Sequence, residues 1–207
     1  MRELYLQVAT ATADVLARPM VAERWADPSA LPHFAVSGLA GHLARSVLQV
    51  EWYLDADVPD AQPATAGEYY AALSGVTDID SELNVGVRQR GEEVALDGPR
   101  ALASRVEAAV PLLRTRLWAE PADRRVGVLG RVLLLDEYLK TRLVEMCVHV
   151  DDLAVSVGIA PPEVPARAYG IAIETMVEVA VLRHGPLAVL RALTRRERQS
   201  PDVLQVL

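Results

Sequence analysis

The chain has 207 residues, 51% of them hydrophobic, and a formal net charge of −7. That is enough for one domain with a substantial core, or a domain plus a short appendage, and the acidic balance argues against nucleic acid as a partner although RALTRRER (191–198) is locally basic. No apolar run approaches bilayer-spanning length, the first twenty residues carry Glu3 and Asp14 and lack a signal-peptide core, and the lone cysteine, Cys147, cannot form an intramolecular disulfide, so the expectation is a cytoplasmic protein without membrane contact.

Helix dominates the pattern. Leu4, Val8, Ala11 and Val15 recur at helical spacing and predict a first helix from about residue 2 to Pro19 or slightly beyond. After a loop containing Asp27-Pro28 and Leu31-Pro32, Ser37 is a plausible N-cap for a second helix reaching Leu54, with Leu39, Leu43, Val47 and Val50 in its stripe. A short helix is expected at 68–73. The stretch 81–96 has helical composition, broken by Gly86 and Gly91. Pro99 sits where a first-turn proline costs nothing and opens a third long helix, which Pro111 should kink. RRVGVLGRV (124–132) reads either as a loop or as a short extended piece. A fourth long helix runs from near Leu134 to Gly158, PPEVP (161–165) is a linker, and 166–183 and 187–196 are helical. The fold class that follows is all-α: a four-helix bundle over 1–160, then a linker and small helical C-terminal extension over 161–207.

The fourth helix carries an unusual surface. On a helical wheel, Leu139, Leu143, Met146, Val150, Leu153 and Val157 form one wide apolar stripe. Asp136, Lys140, Cys147 and Asp151 lie toward the opposite side, the expected water face. Tyr138, Arg142, Glu145, His149 and Asp152 form a separate row within an arc of about 80°, bordered by Val144 and Val148. Ionisable groups between two apolar borders are partly buried, and buried charge is costly unless paired or bound to a cation. Two readings follow. Arg142–Glu145 and His149–Asp152 can be ion pairs at i,i+3 that close a polar seam, or Glu145 and His149, one turn apart on one face, can hold a metal.

A metal needs a third ligand. His33 lies in a proline-flanked loop and reads as surface; His184, ahead of Gly185-Pro186, reads as a helix-terminal residue. His42 lies in VSGLAGHLARSV on the second helix, in a row with Ser46, Gln49 and Tyr53, and reads either as a hydrogen-bonded core residue or as a ligand. Gly38 and Gly41 beside it allow a neighbouring helix to approach closely, and the second and fourth helices can face each other in a bundle.

The pair of segments VSGLAGHLARSV and YLKTRLVEMCVHVDDLAVSVG resembles the N-terminal metal-binding domain of mycothiol-dependent maleylpyruvate isomerases, in the DinB-like superfamily. That pattern has an early "HL" helix and a later helix with R, E, H and D at spacings of three, four and three, here His42, then Arg142, Glu145, His149 and Asp152. The resemblance spans residues 1 to about 160 and implies a four-helix bundle in which His42, Glu145 and His149 are the metal ligands. The isomerases carry a larger second domain, which the residues after PPEVP are too few to form, and the tryptophan often found a few residues before their "HL" histidine is not there, with Phe34 as its candidate substitute.

Two imidazoles and one carboxylate make a three-ligand site with open positions, suited to catalytic zinc; iron(II), nickel or manganese can use the same ligands. The resemblance implies mycothiol or a similar low-molecular-weight thiol as cofactor, with metal-assisted thiolate attack on an electrophilic small molecule, giving S-transfer or isomerisation; without a thiol, the metal would activate water. Asp152 can orient His149 or be a surface carboxylate, and Arg142 can hold an anionic substrate or neutralise Glu145. Tyr53 and Tyr138 can line a pocket or simply pack, and Cys147 points away from the site. The alternative class is a non-catalytic helical metal-binding or protein-interaction domain, with RALTRRER as a contact surface. The oligomeric expectation is a monomer or homodimer.

Overall fold

The computed structural model describes residues 1–195, 197 and 201–206. Part of RALTRRER, at 196 and 198, and the end of the helix expected at 187–196 lie outside the described residues. The chain is mostly helical, with nine α-helices and one two-stranded sheet among the described residues. The helices are α1 (Arg2–Leu16), α2 (Pro19–Glu23), α3 (Val36–Asp55), α4 (Ala66–Ala71), α5 (Glu82–Val94), α6 (Pro99–Ala119), α7 (Leu135–Val157), α8 (Ala166–His184) and α9 (Pro186–Thr194). No helix among the described residues is long and apolar enough to cross a membrane.

Helices α1, α3, α6 and α7 enclose the main core: α1 packs on α6 and α7, and α3 packs on the same two. Leu6, Leu39, Leu43, Leu117, Leu139 and Leu143 are fully buried between them, each contributing roughly 1.5–3 kcal/mol of burial. Tyr5 on α1 donates its hydroxyl hydrogen to the Ser46 carbonyl of α3 across this core, at 3.1 Å. Helices α3 and α7 run antiparallel, since His42 meets the 145–149 turn while Tyr53, three turns further on, meets Tyr138 with ring centroids 5.5 Å apart.

Local chemistry accounts for several helix ends. Gly158 stops α7 in the left-handed region at φ 71°, a conformation that costs glycine little. Thr65 and Glu68 form a reciprocal capping box that starts α4. The expected Ser37 cap is not used: α3 starts two residues earlier, at Val36 after Ala35, and the Ser37 amide donates to the Trp25 carbonyl. The first helix stops at Leu16 and a separate short helix begins at Pro19. Pro111 lies within α6, which remains one helix from Pro99 to Ala119.

Two expectations are corrected, and one open reading is resolved. Gly86 and Gly91 do not break 81–96, which forms the continuous helix α5. Gly91 instead serves close contact: a Cβ there would stand 2.5 Å from the Gly38 carbonyl and 3.2 Å from the His42 amide. A Cβ on Gly41 would in turn run into the Gly91 carbonyl oxygen. The small residues around His42 therefore admit α5, not α7. Cys147 is not on a water face; it is 4% exposed, because α8 packs along α7. RRVGVLGRV is extended: β1 (Arg125–Val128) and β2 (Arg131–Leu134) form an antiparallel hairpin. Leu129 and Gly130 turn it with φ of 49° and 76°, the two positive angles of a tight I′-type turn.

The C-terminal helices pack on this assembly. Helix α8 lies against α4 and α7, and α9 lies on α8. Arg183 fastens the contact by donating to the Tyr70 and Leu73 carbonyls at 2.8 and 3.2 Å. Thr65 of the capping box also donates its hydroxyl to Glu178 at 2.7 Å.

Candidate metal centre

The polar row predicted on α7 borders a cavity of about 560 Å³. Its wall comes from α3, α4, α5, α7 and the hairpin turn, and much of it is apolar, including Leu31, Leu73, Leu83, Val87 and Leu129. Phe34, just ahead of α3, places its ring centroid 6.1 Å from that of His42.

At one side of the cavity His42, Glu145 and His149 meet, although 103 residues separate the first two. Nε2 of His42 lies 3.2 Å from Oε2 of Glu145, and Nε2 of His149 lies 3.6 Å from the same oxygen. The imidazoles meet edge to face with centroids 4.7 Å apart. One ligand atom from each residue falls within 4.8 Å of the others. Donors bound tetrahedrally at about 2.0–2.1 Å from zinc stand roughly 3.4 Å apart, so the separations of 3.2 and 3.6 Å fit a common cation.

The rest of the donor set fits too. Nδ1 of His149 donates to Oδ2 of Asp152 at 2.9 Å, which leaves Nε2 facing Glu145. Oε1 of Glu145 accepts from the Tyr70 hydroxyl at 2.9 Å, which leaves Oε2 facing the histidines. Nδ1 of His42 is buried with no hydrogen-bond partner among the described residues, a deficit a buried imidazole rarely carries without a use. These residues could hold a divalent cation with positions left open toward the cavity.

Electrostatics sharpen the picture. Burial opposes the Glu145 charge, but hydrogen bonds from His149 and His42 and the nearby Arg142 hold its carboxyl well below the usual range. Burial also opposes charge on His149, yet Asp152 and Glu145 lift its pKa to about 9. Burial pushes the His42 pKa down, with the hydrogen bond to Glu145 only partly opposing it. The anionic carboxylate and the neutral His42 imidazole suit a cation, which would have to displace the proton that Asp152 and Glu145 favour on His149.

Of the two i,i+3 ion pairs expected on α7, His149–Asp152 forms and Arg142–Glu145 does not: no carboxylate lies within ion-pair distance of Arg142 among the described residues. Its Nε donates to Thr141 at 3.1 Å and its guanidinium lies 5.4 Å from the Tyr138 ring centroid. Tyr138 is fully buried and packs on Tyr53, which faces the cavity. His33 and His184 are both exposed, at a loop and at the end of α8, and neither lines the cavity or joins the ligand cluster.

Sequence reasoning missed Tyr70, which donates to both Glu145 and the Thr141 carbonyl from α4. It missed α5 as a wall, and with it Arg90; Arg45, one turn beyond His42, was also passed over. The spacing from His42 to Arg45 matches that from Glu145 back to Arg142, a symmetry visible only once α3 and α7 are known to be antiparallel neighbours.

The sequence profile of a family described as the mycothiol maleylpyruvate isomerase N-terminal domain matches residues 6–154. No curated protein and no solved structure matches the chain significantly.

Proposed function

The chain belongs to the mycothiol maleylpyruvate isomerase N-terminal domain family, and from that premise we propose that it is a divalent-metal-dependent enzyme in which a small thiol, mycothiol or a close analogue, attacks an electrophilic small molecule. In this reading α1, α3, α6 and α7 are the DinB-like four-helix bundle, residues 1–160 are the metal-binding unit, and 161–207 are an extension packed on it. His42, Glu145 and His149 are the ligands. The observation that carries the reading is the convergence of two imidazole nitrogens on one carboxylate oxygen, at 3.2 and 3.6 Å, beside a cavity large enough for a small molecule.

A divalent cation, zinc before iron, nickel or manganese, would supply the positive charge that lets a thiol lose its proton near neutral pH. The protein's own residues do the rest. Asp152 fixes the His149 tautomer, Tyr70 fixes the Glu145 carboxylate, and the apolar wall limits water around a reactive sulfur. Arg142 faces the same space with a guanidinium free of ion pairs among the described residues and is the group we assign to an anionic substrate. In the reaction a sulfur lone pair forms a carbon–sulfur bond and the displaced electron pair moves onto the electrophile's withdrawing group. Uptake of a proton in place of the one the thiol released, with the carbon–sulfur bond kept, gives S-transfer; rotation about the former double bond and expulsion of the thiolate gives isomerisation.

Elemental analysis of the isolated protein, paired with a thermal-shift screen of thiols, tests this. One metal per chain, lost in His42→Ala and in His149→Ala while the helical fold persists, is expected, as is a thiol-dependent rise in Tm. Retention of the full metal content in both variants overturns the ligand assignment. Metal-free protein whose stability ignores chelators would replace the enzyme with a non-catalytic helical module.

A further inference from the structure

The same cavity concentrates three arginines, and their surroundings are unlike those of the other charged side chains. Arg45, Arg90 and Arg142 all line it, from α3, α5 and α7. The cavity's two carboxylates, Glu145 and Asp152, are already committed to histidines. None of the three arginines makes an ion pair among the described residues. Among the described residues the Arg45 side chain makes one hydrogen bond, donating to Oε1 of Gln49 at 3.2 Å, and the Arg142 side chain donates only to Thr141. Arg90 lies over Gly86, where a Cβ would meet its Nη1 at 2.9 Å, so the glycine gives the guanidinium room. Burial opposes the Arg142 charge as well, but Tyr138 and Glu145 favour it through space. For Arg45 burial and the neighbouring Arg90 and Arg142 disfavour the charge, and Tyr53 and Tyr138 offset this only in part.

Half-buried like charges without counter-ions are costly, and they persist where a bound anion repays the cost. Arginine suits that task because its planar fork takes a carboxylate with two parallel hydrogen bonds. Position adds a constraint. Arg45 and Arg142 lie three residues from His42 and Glu145 on antiparallel helices, so both stand one turn from the metal-binding set, about 5 Å along the axes. Beyond them the wall is hydrophobic, with Leu83, Val87 and Val76 from α5 and the loop before it.

We propose that Arg45 and Arg90, with Arg142, form a carboxylate-receiving subsite for the electrophile, and that the electrophile is an amphipathic organic anion: one carboxylate held by arginines that stand one helical turn from the metal-binding residues, and an apolar body against α5. The inference rests on the reading of this cavity as a substrate chamber.

Calorimetry with trans-cinnamate and its neutral isostere cinnamamide, on full-length protein stripped of metal, tests the subsite without any contribution from a cation. Cinnamate is expected to bind at least about 10-fold more tightly than cinnamamide. Arg45→Gln and Arg90→Gln should each remove that preference and leave cinnamamide binding unchanged. Equal binding of the two probes by the parent protein, or an undiminished preference in both variants, overturns the inference. Should Arg45→Gln fail to fold by circular dichroism, Arg90→Gln and the charge-keeping Arg45→Lys carry the test, the latter weakening cinnamate less than Gln would. Metal content is measured separately: carboxylate preference without metal binding sinks the enzyme reading and leaves the subsite, and metal binding without preference does the reverse.

Discussion

His149 and Asp152, one turn apart on α7, are joined by a hydrogen bond of 2.9 Å from Nδ1 to Oδ2 that leaves the other imidazole nitrogen facing Glu145. The carboxylate fixes both the tautomer and the angle of the ring. Asp152→Ala is therefore expected to weaken metal affinity by about 10–100-fold while leaving one metal per chain at saturation. Competition against a chromogenic chelator measures it. Unchanged affinity would make Asp152 a surface carboxylate after all.

Tyr70 performs the matching task for Glu145. Its hydroxyl carries one hydrogen and faces two acceptors at 2.9 Å, Oε1 of Glu145 and the Thr141 carbonyl. Tyr70→Phe keeps the ring and removes the tether, so a stability loss of about 1 kcal/mol is expected together with weaker metal binding. Tyr69→Phe is the control, because no hydrogen bond from the Tyr69 hydroxyl is present among the described residues although the ring is 4% exposed. Equal metal affinity in the two variants would show that the tether does nothing for the carboxylate.

What could be read in advance follows from which contacts are local. The polar row on α7 was legible because five side chains repeat within one helix, and a wheel places them without knowledge of any neighbour. His42 was legible as a partner because the other histidines fell at a loop and a helix end, and the family resemblance joined it to Glu145 and His149. Cys147 was misplaced because a wheel cannot see α8 arriving on the far side of α7. The hairpin was ambiguous because Leu129 occupies a positive-φ position that glycine or asparagine usually marks. Arg45 and Arg90 carry no signal on their own helices; their meaning arises from three helices facing one cavity.

Gly91 and Gly41 show the same lesson energetically. Read along the chain, a glycine in a helix is a weakness of about 1 kcal/mol relative to alanine. Read across the α3–α5 contact, the missing side chain lets two backbones touch beside His42. Gly41→Ala is expected to destabilise the fold by about 1–3 kcal/mol despite its better helix propensity, since the new methyl meets the Gly91 carbonyl and neither backbone can yield cheaply. Gly170→Ala in α8, with nothing within 4 Å of its Cβ position, is expected to stabilise by up to about 1 kcal/mol. Chemical denaturation of both variants checks the opposite signs, and metal affinity of Gly41→Ala should fall because α5 displaces the His42 turn.

Cys147 supplies an independent probe of the α7–α8 contact. Burial raises the pKa of its thiol from 9.0 to about 11. At pH 8 that shift lowers the thiolate fraction by about 100-fold, and the thiolate is the nucleophile. Iodoacetamide is therefore expected to label the native protein at least about 100-fold more slowly than the unfolded chain. The rate should climb steadily toward pH 11 with no plateau near 9. Replacing Ala168 or Ala172, both buried on α8, with a larger residue should loosen that helix and speed labelling, while the spacing of His42, Glu145 and His149 on the other side of α7 stays unaffected. Fast labelling of the native protein at pH 8, with folding verified by circular dichroism, would mean that α8 does not cover this face in solution.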